Sequence, residues 1–228
     1  MDVKTDLTEI AALIGEPTRV VMLWSLVGGQ ARPASELAFY ANVSAQNASA
    51  HLARLVEAGM LAVEARGRHR YYRLAGADVA HAIEALAALA PSAKEAAGLP
   101  PRHTPDLKYA RTCYDHLAGR VAVEICAALE DKGYLAPVDA DFEITSKGEK
   151  LFHDFGIDVR ELREQRRAFA RQCQDWSERR PHIAGALGAA MLERMFQRGW
   201  IARIRSSRIV RVTAKGREDV YKLLKLTL

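Results

Sequence analysis

Two hydrophobic periods alternate along this chain: apolar stripes at helical spacing, and short runs of alternating character set off by glycine. Leu7, Ile10, Leu13 and Ile14 share one helical face. A second helix opens at Pro17, with Val20, Val21, Leu23, Trp24 and Val27 apolar, and Gly28-Gly29 stops it. Proline is tolerated in a first helical turn because the donor it lacks would be unpaired there. Ser35 is placed to cap a short helix ending near Ala41, and Ser44 to cap the next. That next helix turns Ala48, Leu52, Leu55 and Val56 inward and ends at Gly59, a left-handed C′ residue. Met60–Val63 and Tyr71–Leu74 predict paired strands about a turn at Arg66-Gly67, and an Ala/Leu-rich helix runs from Asp78 to Leu89.

Pro91 to Pro105, with four prolines, reads as a linker. Beyond it the pattern repeats itself. Arg111-Thr112-Cys113-Tyr114-Asp115-His116-Leu117-Ala118-Gly119 is echoed by Arg171-Gln172-Cys173-Gln174-Asp175 and His182-Ile183-Ala184-Gly185. Fourteen positions after Gly119 and Gly185 stand Gly133 and Gly199, followed by Tyr134-Leu135-Ala136 and Trp200-Ile201-Ala202. Each unit closes on a matching strand end, Ile144-Thr145-Ser146-Lys147-Gly148 and Val212-Thr213-Ala214-Lys215-Gly216. Register kept over a whole unit points to an internal duplication. Between the copies, Asp158 to Arg180 predicts a charged helix burying Leu162, Phe169 and Trp176.

The fold expected is therefore α+β, mainly helical with small hairpins. Residues 1–90 form a winged helix-turn-helix, 91–106 a linker, and 107–228 a duplicated effector or dimerisation domain with repeats at about 111–150 and 171–218. Each copy has the helix–glycine–hairpin grammar of the N-terminal unit without its second motif helix.

That motif helix carries chemistry. Ser44, Ala45, Gln46, Asn47, Ser49, Ala50 and His51 occupy its N-terminal part, with Arg54 beyond. Asn and Gln suit bidentate contact with adenine, Ser suits several base edges, and Ala allows close approach to a thymine methyl. Arg66, Arg68, His69, Arg70 and Tyr71 form a basic hairpin able to grip phosphates or enter the minor groove. Any one of these residues alone would pass for a solvated surface; the ordered set points to double-stranded DNA.

Ile14-Gly15-Glu16-Pro17-Thr18-Arg19, Ser35-Glu36-Leu37-Ala38, Val43-Ser44, Ser49-Ala50-His51-Leu52 and Ala58-Gly59-Met60-Leu61 together resemble the ArsR/SmtB family of winged-helix repressors over about residues 7–90. The resemblance implies a homodimer on an inverted-repeat operator, with an effector altering the DNA-competent geometry. Two departures stand out. Glu36-Leu37-Ala38-Phe39-Tyr40 occupies the place where metal-sensing members carry cysteines, and the chain is much longer than the compact family pattern. Sensing is thus expected to lie in the added domain.

Charge and cysteine usage refine this picture. The net charge is +5, yet residues 1–90 hold eight basic against nine acidic residues, leaving twenty-five against nineteen beyond them. The N-terminal positive charge is concentrated at Arg66, Arg68, Arg70 and Arg73. Three cysteines are too few for a disulfide scaffold, the N-terminus lacks the features of a secretion signal, and no apolar run is long enough to span a bilayer. A cytoplasmic protein without a membrane partner is expected.

For sensing, Cys113, Asp115, His116, Cys173, Asp175 and His182 offer thiolate, imidazole and carboxylate, a set suited to zinc or a softer divalent ion. Their ordinary structural explanation is Asp as a helix cap, His at a helix start and Cys as a small buried residue. Thiol redox between Cys113 and Cys173 is a second idea, and a pocket lined by Tyr114, Tyr134, Trp176 and Trp200 a third. Asp78, His81 and Glu84 form a weaker candidate for an interfacial metal site. No phosphate loop, nucleophile elbow or paired-histidine protease motif is present, so an enzyme is not expected. The competing functions are a constitutive architectural DNA binder and a DNA anchor fused to a thiol- or metal-dependent catalytic domain.

Overall fold

The computed structural model describes residues 7–67, 69–89 and 105–228. The chain divides into two compact units, residues 1–104 and 105–228, each with its own hydrophobic core. The expected linker falls almost wholly outside the described residues; of it, Pro105 instead opens a short helix.

In the N-terminal unit, α1 (Leu7–Ile14) and α2 (Pro17–Ser25) lead to β1 (Arg32–Pro33), α3 (Ala34–Tyr40), α4 (Ala45–Glu57), β2 (Leu61–Arg66), β3 (His69–Leu74) and α5 (Ala77–Leu89). Met22, Leu23, Leu37, Ala48, Leu52 and Leu55 fill the space between the helices, and Leu61, Tyr72 and Leu74 close it from the sheet. The Gly15–Arg19 motif has a mechanical purpose here. Glu16 caps α2 by accepting from the Arg19 amide at 2.9 Å. The buried Arg19 guanidinium donates to the carbonyls of Leu13 at 2.7 Å and Ala12 at 2.9 Å, satisfying the otherwise open end of α1.

Two local expectations change. Ser35 is not the cap of α3: the helix starts at Ala34 behind Pro33, whose extended backbone makes no side-chain cap bond. The wing sheet has three strands in the order β1-β3-β2, because Arg32 and Pro33 pair with Tyr72 and Tyr71.

The C-terminal unit contains α6 (Pro105–Tyr109) and then two copies of one pattern. The first is β4 (Arg111–Cys113), β5 (His116–Ala118), α7 (Arg120–Asp131), β6 (Leu135–Val138), β7 (Asp141–Ile144) and α8 (Ser146–Phe155), followed by α9 (Val159–Arg163). The second is β8 (Arg171–Gln174), β9 (Pro181–Ala184), α10 (Gly185–Gln197), β10 (Ile201–Arg203), β11 (Val210–Val212) and α11 (Ala214–Leu224).

The copies exchange partners. Hairpin β8–β9 extends β6–β7 into a four-stranded antiparallel sheet, with Phe142 donating to the Ala170 carbonyl and Gln172 to the Ala140 carbonyl. Reciprocally, β4–β5 meets β10–β11 through the bridge Arg111–Ile209, with Val210 donating to Ala110 and Thr112 to the Arg208 carbonyl. β9 packs on α7 and β5 on α10, so each copy completes the other. Thr145 and Thr213 cap α8 and α11 in the same way, accepting from Gly148 and Gly216 at 3.0 and 2.9 Å. The two stretches thus carry the same order of elements, and the α+β class stands.

The long charged helix over Asp158–Arg180 does not form. α9 ends at Arg163, and Arg171 onward is strand. Its three apolar residues, seven apart, find cover without a helix. Leu162 packs on the core, Phe169 lies under the Arg163 guanidinium, and Trp176 lies under that of Arg111.

Candidate DNA interface and metal centre

Helix α4 is amphipathic in the way its sequence requires. Ala48, Leu52 and Leu55 are buried, while Ala45, Gln46, Asn47, Ser49, Ala50 and Arg54 are exposed. Ser44 caps it, accepting from the Asn47 amide at 3.2 Å, and Gly59 ends the segment at φ +70°. The Ser49 hydroxyl donates back to the Ala45 carbonyl at 2.9 Å, which leaves its oxygen to accept. His51 departs from the expected outward row: its ring turns to the Glu16 carboxylate at 3.4 Å, tying α4 to the cap of α2.

The wing is less uniformly basic than its sequence. Glu64 accepts from Arg66 at 2.9 Å and from Arg73 at 2.8 Å, and these two bonds hold its carboxyl below the usual range. Arg66 also lies over the Tyr71 ring. His69 and Arg70 are exposed on β3; Arg68 lies outside the described residues.

The C-terminal unit holds a second site. In hairpin β4–β5, Cys113 and His116 are direct cross-strand partners; in β8–β9, Cys173 and His182 are. The exchange of hairpins brings both pairs together, and the ligand atoms of all four side chains lie within 4.8 Å of one another. The two histidine Nε2 atoms are 3.1 Å apart. Among the described residues this is the one such group of three or more His, Cys, Asp or Glu, so Asp78, His81 and Glu84 do not assemble a site within the chain.

Asp115 and Asp175 are not members of the quartet; they stand behind it. Asp115 faces His116 Nδ1 at 3.3 Å and accepts from Arg167 at 2.6 Å. Burial works against ionisation of Asp115, but Arg167 and His116 hold its carboxyl below the usual range. Asp175 is fully buried and organises the longer β8–β9 loop. One oxygen accepts from the Ser177 amide and hydroxyl and the Glu178 amide; the other accepts from Arg111 and from the Gly119 amide, at 2.9 and 2.8 Å. Burial opposes its charge as well, yet Arg111 and these donors bring it down to about 2. The two aspartates, each two residues beyond its cysteine, thus have different partners.

His182 Nδ1 is buried without a hydrogen-bond partner, 3.8 Å from Asp175 Oδ2. Burial keeps its ring neutral by lowering its pKa. All four lie on hairpins and none at a helix start, while Cys113 is buried as a small apolar residue would be. The aromatic pocket also fails to assemble: Tyr114 is exposed at a turn, Tyr134 lies under Lys147, Trp176 under Arg111, and Trp200 packs on Phe155.

A capped helix with a small polar outer face, carried beside a β-wing, defines a DNA-binding winged helix-turn-helix regulator. A family model for the helix-turn-helix domain matches residues 14–64. Over 223 residues the chain is 48% identical to the HTH-type transcriptional regulator YdfF of Bacillus subtilis strain 168, covering 98% of this chain and 99% of that one. The chain belongs to this family of helix-turn-helix transcriptional regulators. Solved structures similar to it include the homodimeric winged helix-turn-helix DNA-binding domain of Mb0332 from Mycobacterium bovis, a possible ArsR-family regulator (29% identity, 36% of this chain and 80% of that one, TM-score 0.30). Another is the cadmium metal-sensor CMTR from Mycobacterium tuberculosis (30% identity, 34% of this chain and 79% of that one, TM-score 0.30). Among the described residues no helix is long and apolar enough to cross a membrane.

Proposed function

We propose that this regulator is a homodimeric repressor that binds an inverted-repeat operator through α4 and the wing, and that an effector acting on the C-terminal unit, a metal ion or a stress compound, relieves it. The observation that carries the reading is the exposed row Ala45, Gln46, Asn47, Ser49 and Ala50 on a helix whose other face is fully packed. Apart from the Ser49 bond to the Ala45 carbonyl the row packs on nothing, and its chemistry matches base edges in the major groove. The resemblance of residues 7–90 to the ArsR/SmtB repressors supports the dimer and the effector by analogy.

The test is selection of bound sequences from random DNA, followed by anisotropy titration of the recovered site and sedimentation of the protein alone. A two-fold symmetric site bound by two chains is expected, with affinity falling when zinc, cadmium or an oxidant is added. An asymmetric or sequence-indifferent footprint would overturn the operator reading. Affinity unchanged by every effector would favour a constitutive architectural binder.

A further inference from the structure

We propose that Cys113, His116, Cys173 and His182 form a closed, four-coordinate site for one thiophilic divalent cation of the zinc and cadmium class, which fastens the two copies of the repeat to each other. Four observations on the molecule support it independently of any relative.

The donor set and its spacing come first. Two sulfurs and two imidazole nitrogens are the complement of a tetrahedral site, and bonds of about 2.3 Å to sulfur and 2.0–2.1 Å to nitrogen set ligand atoms roughly 3.3 to 3.8 Å apart. The nitrogens here are 3.1 Å apart and the whole quartet fits within 4.8 Å. Two thiolates and two neutral imidazoles also cancel the charge of a divalent ion, which suits a site where three of the four side chains are buried.

The second observation is the unpartnered nitrogen. Without an ion, two facing Nε2 atoms at hydrogen-bond distance need one proton between them. If His182 donates it, its Nδ1 is left as a buried acceptor whose nearest charged neighbour is a carboxylate, which cannot donate. An ion on both Nε2 atoms moves the proton to Nδ1, where it faces Asp175. Asp115 faces Nδ1 of His116 in the same way. Metal-binding histidines ordinarily present this carboxylate-backed arrangement.

Third, the turn that sets the first pair is strained. Cys113 and His116 are separated by two residues, and Tyr114 adopts φ +55°, which a bulky side chain rarely does. Fourth, α10 comes close to the backbone of both histidine-bearing hairpins at Gly188. A Cβ on Gly188 would stand 3.1 Å from His116 Cβ and 2.3 Å from the Ile183 carbonyl oxygen. With four protein ligands no position remains for a substrate, so the ion is a fastener and not a catalyst.

The inference rests on the proposed repressor only for any effect on the operator; ion binding itself is measured without DNA. The reduced full chain, stripped with a chelator, is titrated with Co(II) alone and then with Zn(II). One equivalent per chain is expected, with intense visible bands of tetrahedral cobalt and a near-ultraviolet thiolate-to-metal transition, all displaced by zinc. Cys113→Ser with Cys173→Ser should abolish the thiolate transition, whereas Cys126→Ala, in the same unit but outside the quartet, should keep it. Asp115→Asn, a positioning change on a partly exposed residue, should weaken affinity roughly tenfold to a hundredfold while leaving the cobalt spectrum tetrahedral. Uptake well below one equivalent by the folded parent, or an unchanged cobalt spectrum in the double variant, would overturn the site. So would a Cys113–Cys173 disulfide that forms readily in a protein taking up no metal when reduced. Operator affinity measured on the same samples separates these failures from failure of the repressor reading.

Discussion

At the scale of single residues, the glycines of the C-terminal unit show how tightly the repeat is specified. A Cβ at Gly148 would lie 2.1 Å from the carbonyl oxygen of Tyr134, and one at Gly216 would lie 2.1 Å from that of Trp200. Those carbonyls accept from Thr145 and Thr213, the caps of α8 and α11, so neither oxygen can retreat without loosening a helix start. Gly148→Ala and Gly216→Ala are each expected to cost about 1–3 kcal/mol or more in urea unfolding. Gly28→Ala, where a Cβ meets nothing within 4 Å, should stay within about 0.5 kcal/mol of the parent. Equal losses at all three would show that the close approach is not the cause. On α4 the corresponding residue-scale prediction concerns Asn47, which is exposed on the outer face. Asn47→Ala should relax discrimination at one base position by about 1–3 kcal/mol without uniform weakening; an even loss across all sites would remove its base-reading role.

Among elements, the wing shows how a charge count misleads. Four arginines over residues 66–73 promise four phosphate contacts, yet Glu64 engages Arg66 on its own strand and Arg73 on the neighbouring one. Arg70→Ala is therefore expected to weaken binding to all DNA alike and to reduce the slope of log affinity against log salt by about one per protomer. Arg73→Ala should change that slope much less, and anisotropy titrations between low and moderate salt distinguish the two. A larger slope change for Arg73 would mean that Glu64 releases it on DNA. The sequence was legible where one element's own residues decide its form: the Ser44 cap, Gly59, the β2–β3 turn and the register of the two copies all rest on local rules. It was less legible at the β2–β3 hairpin, where pairing runs on to Arg66 and His69 past the expected strand ends, and illegible where a distant partner decides. Residues 171–174 become strand because β6–β7 and β9 lie on either side of them, and the run from Asp158 has the composition of a helix without the packing to hold one. The metal candidates show the same division. Cys113, His116, Cys173 and His182 could be picked out as residue types repeated before an Ala-Gly pair. That they face one another across exchanged hairpins, with Asp115 and Asp175 behind them, depends on contacts sixty residues apart in sequence.

Over the whole molecule, two separate cores imply two separable stabilities. One is built around Leu23, Leu37, Leu52 and Leu55, the other around Val121, Leu129, Phe152, Leu187 and Val220. The proposed ion touches only the second, because all four of its ligands lie within residues 113–182. A ligand that binds the folded form alone stabilises it by mass action, about 2.7 kcal/mol when its free concentration is a hundred times its Kd. For a unit of this size that corresponds to a rise in midpoint of roughly 10 °C. Differential scanning calorimetry of the reduced full chain should therefore show two transitions, with zinc raising one by about that amount and leaving the other in place. The Cys113→Ser, Cys173→Ser variant should show no zinc-dependent shift, and operator DNA should raise the transition that zinc leaves alone. If zinc moved both transitions together, the two units would unfold as one and the ion's stabilisation would be shared with the DNA-binding core. If it moved only the transition that DNA also raises, the ion would be bound elsewhere and the fastening role of the quartet would fall. Movement of the second transition alone, lost with the two thiols, would identify the duplicated unit as the part of the regulator that an ion can stiffen.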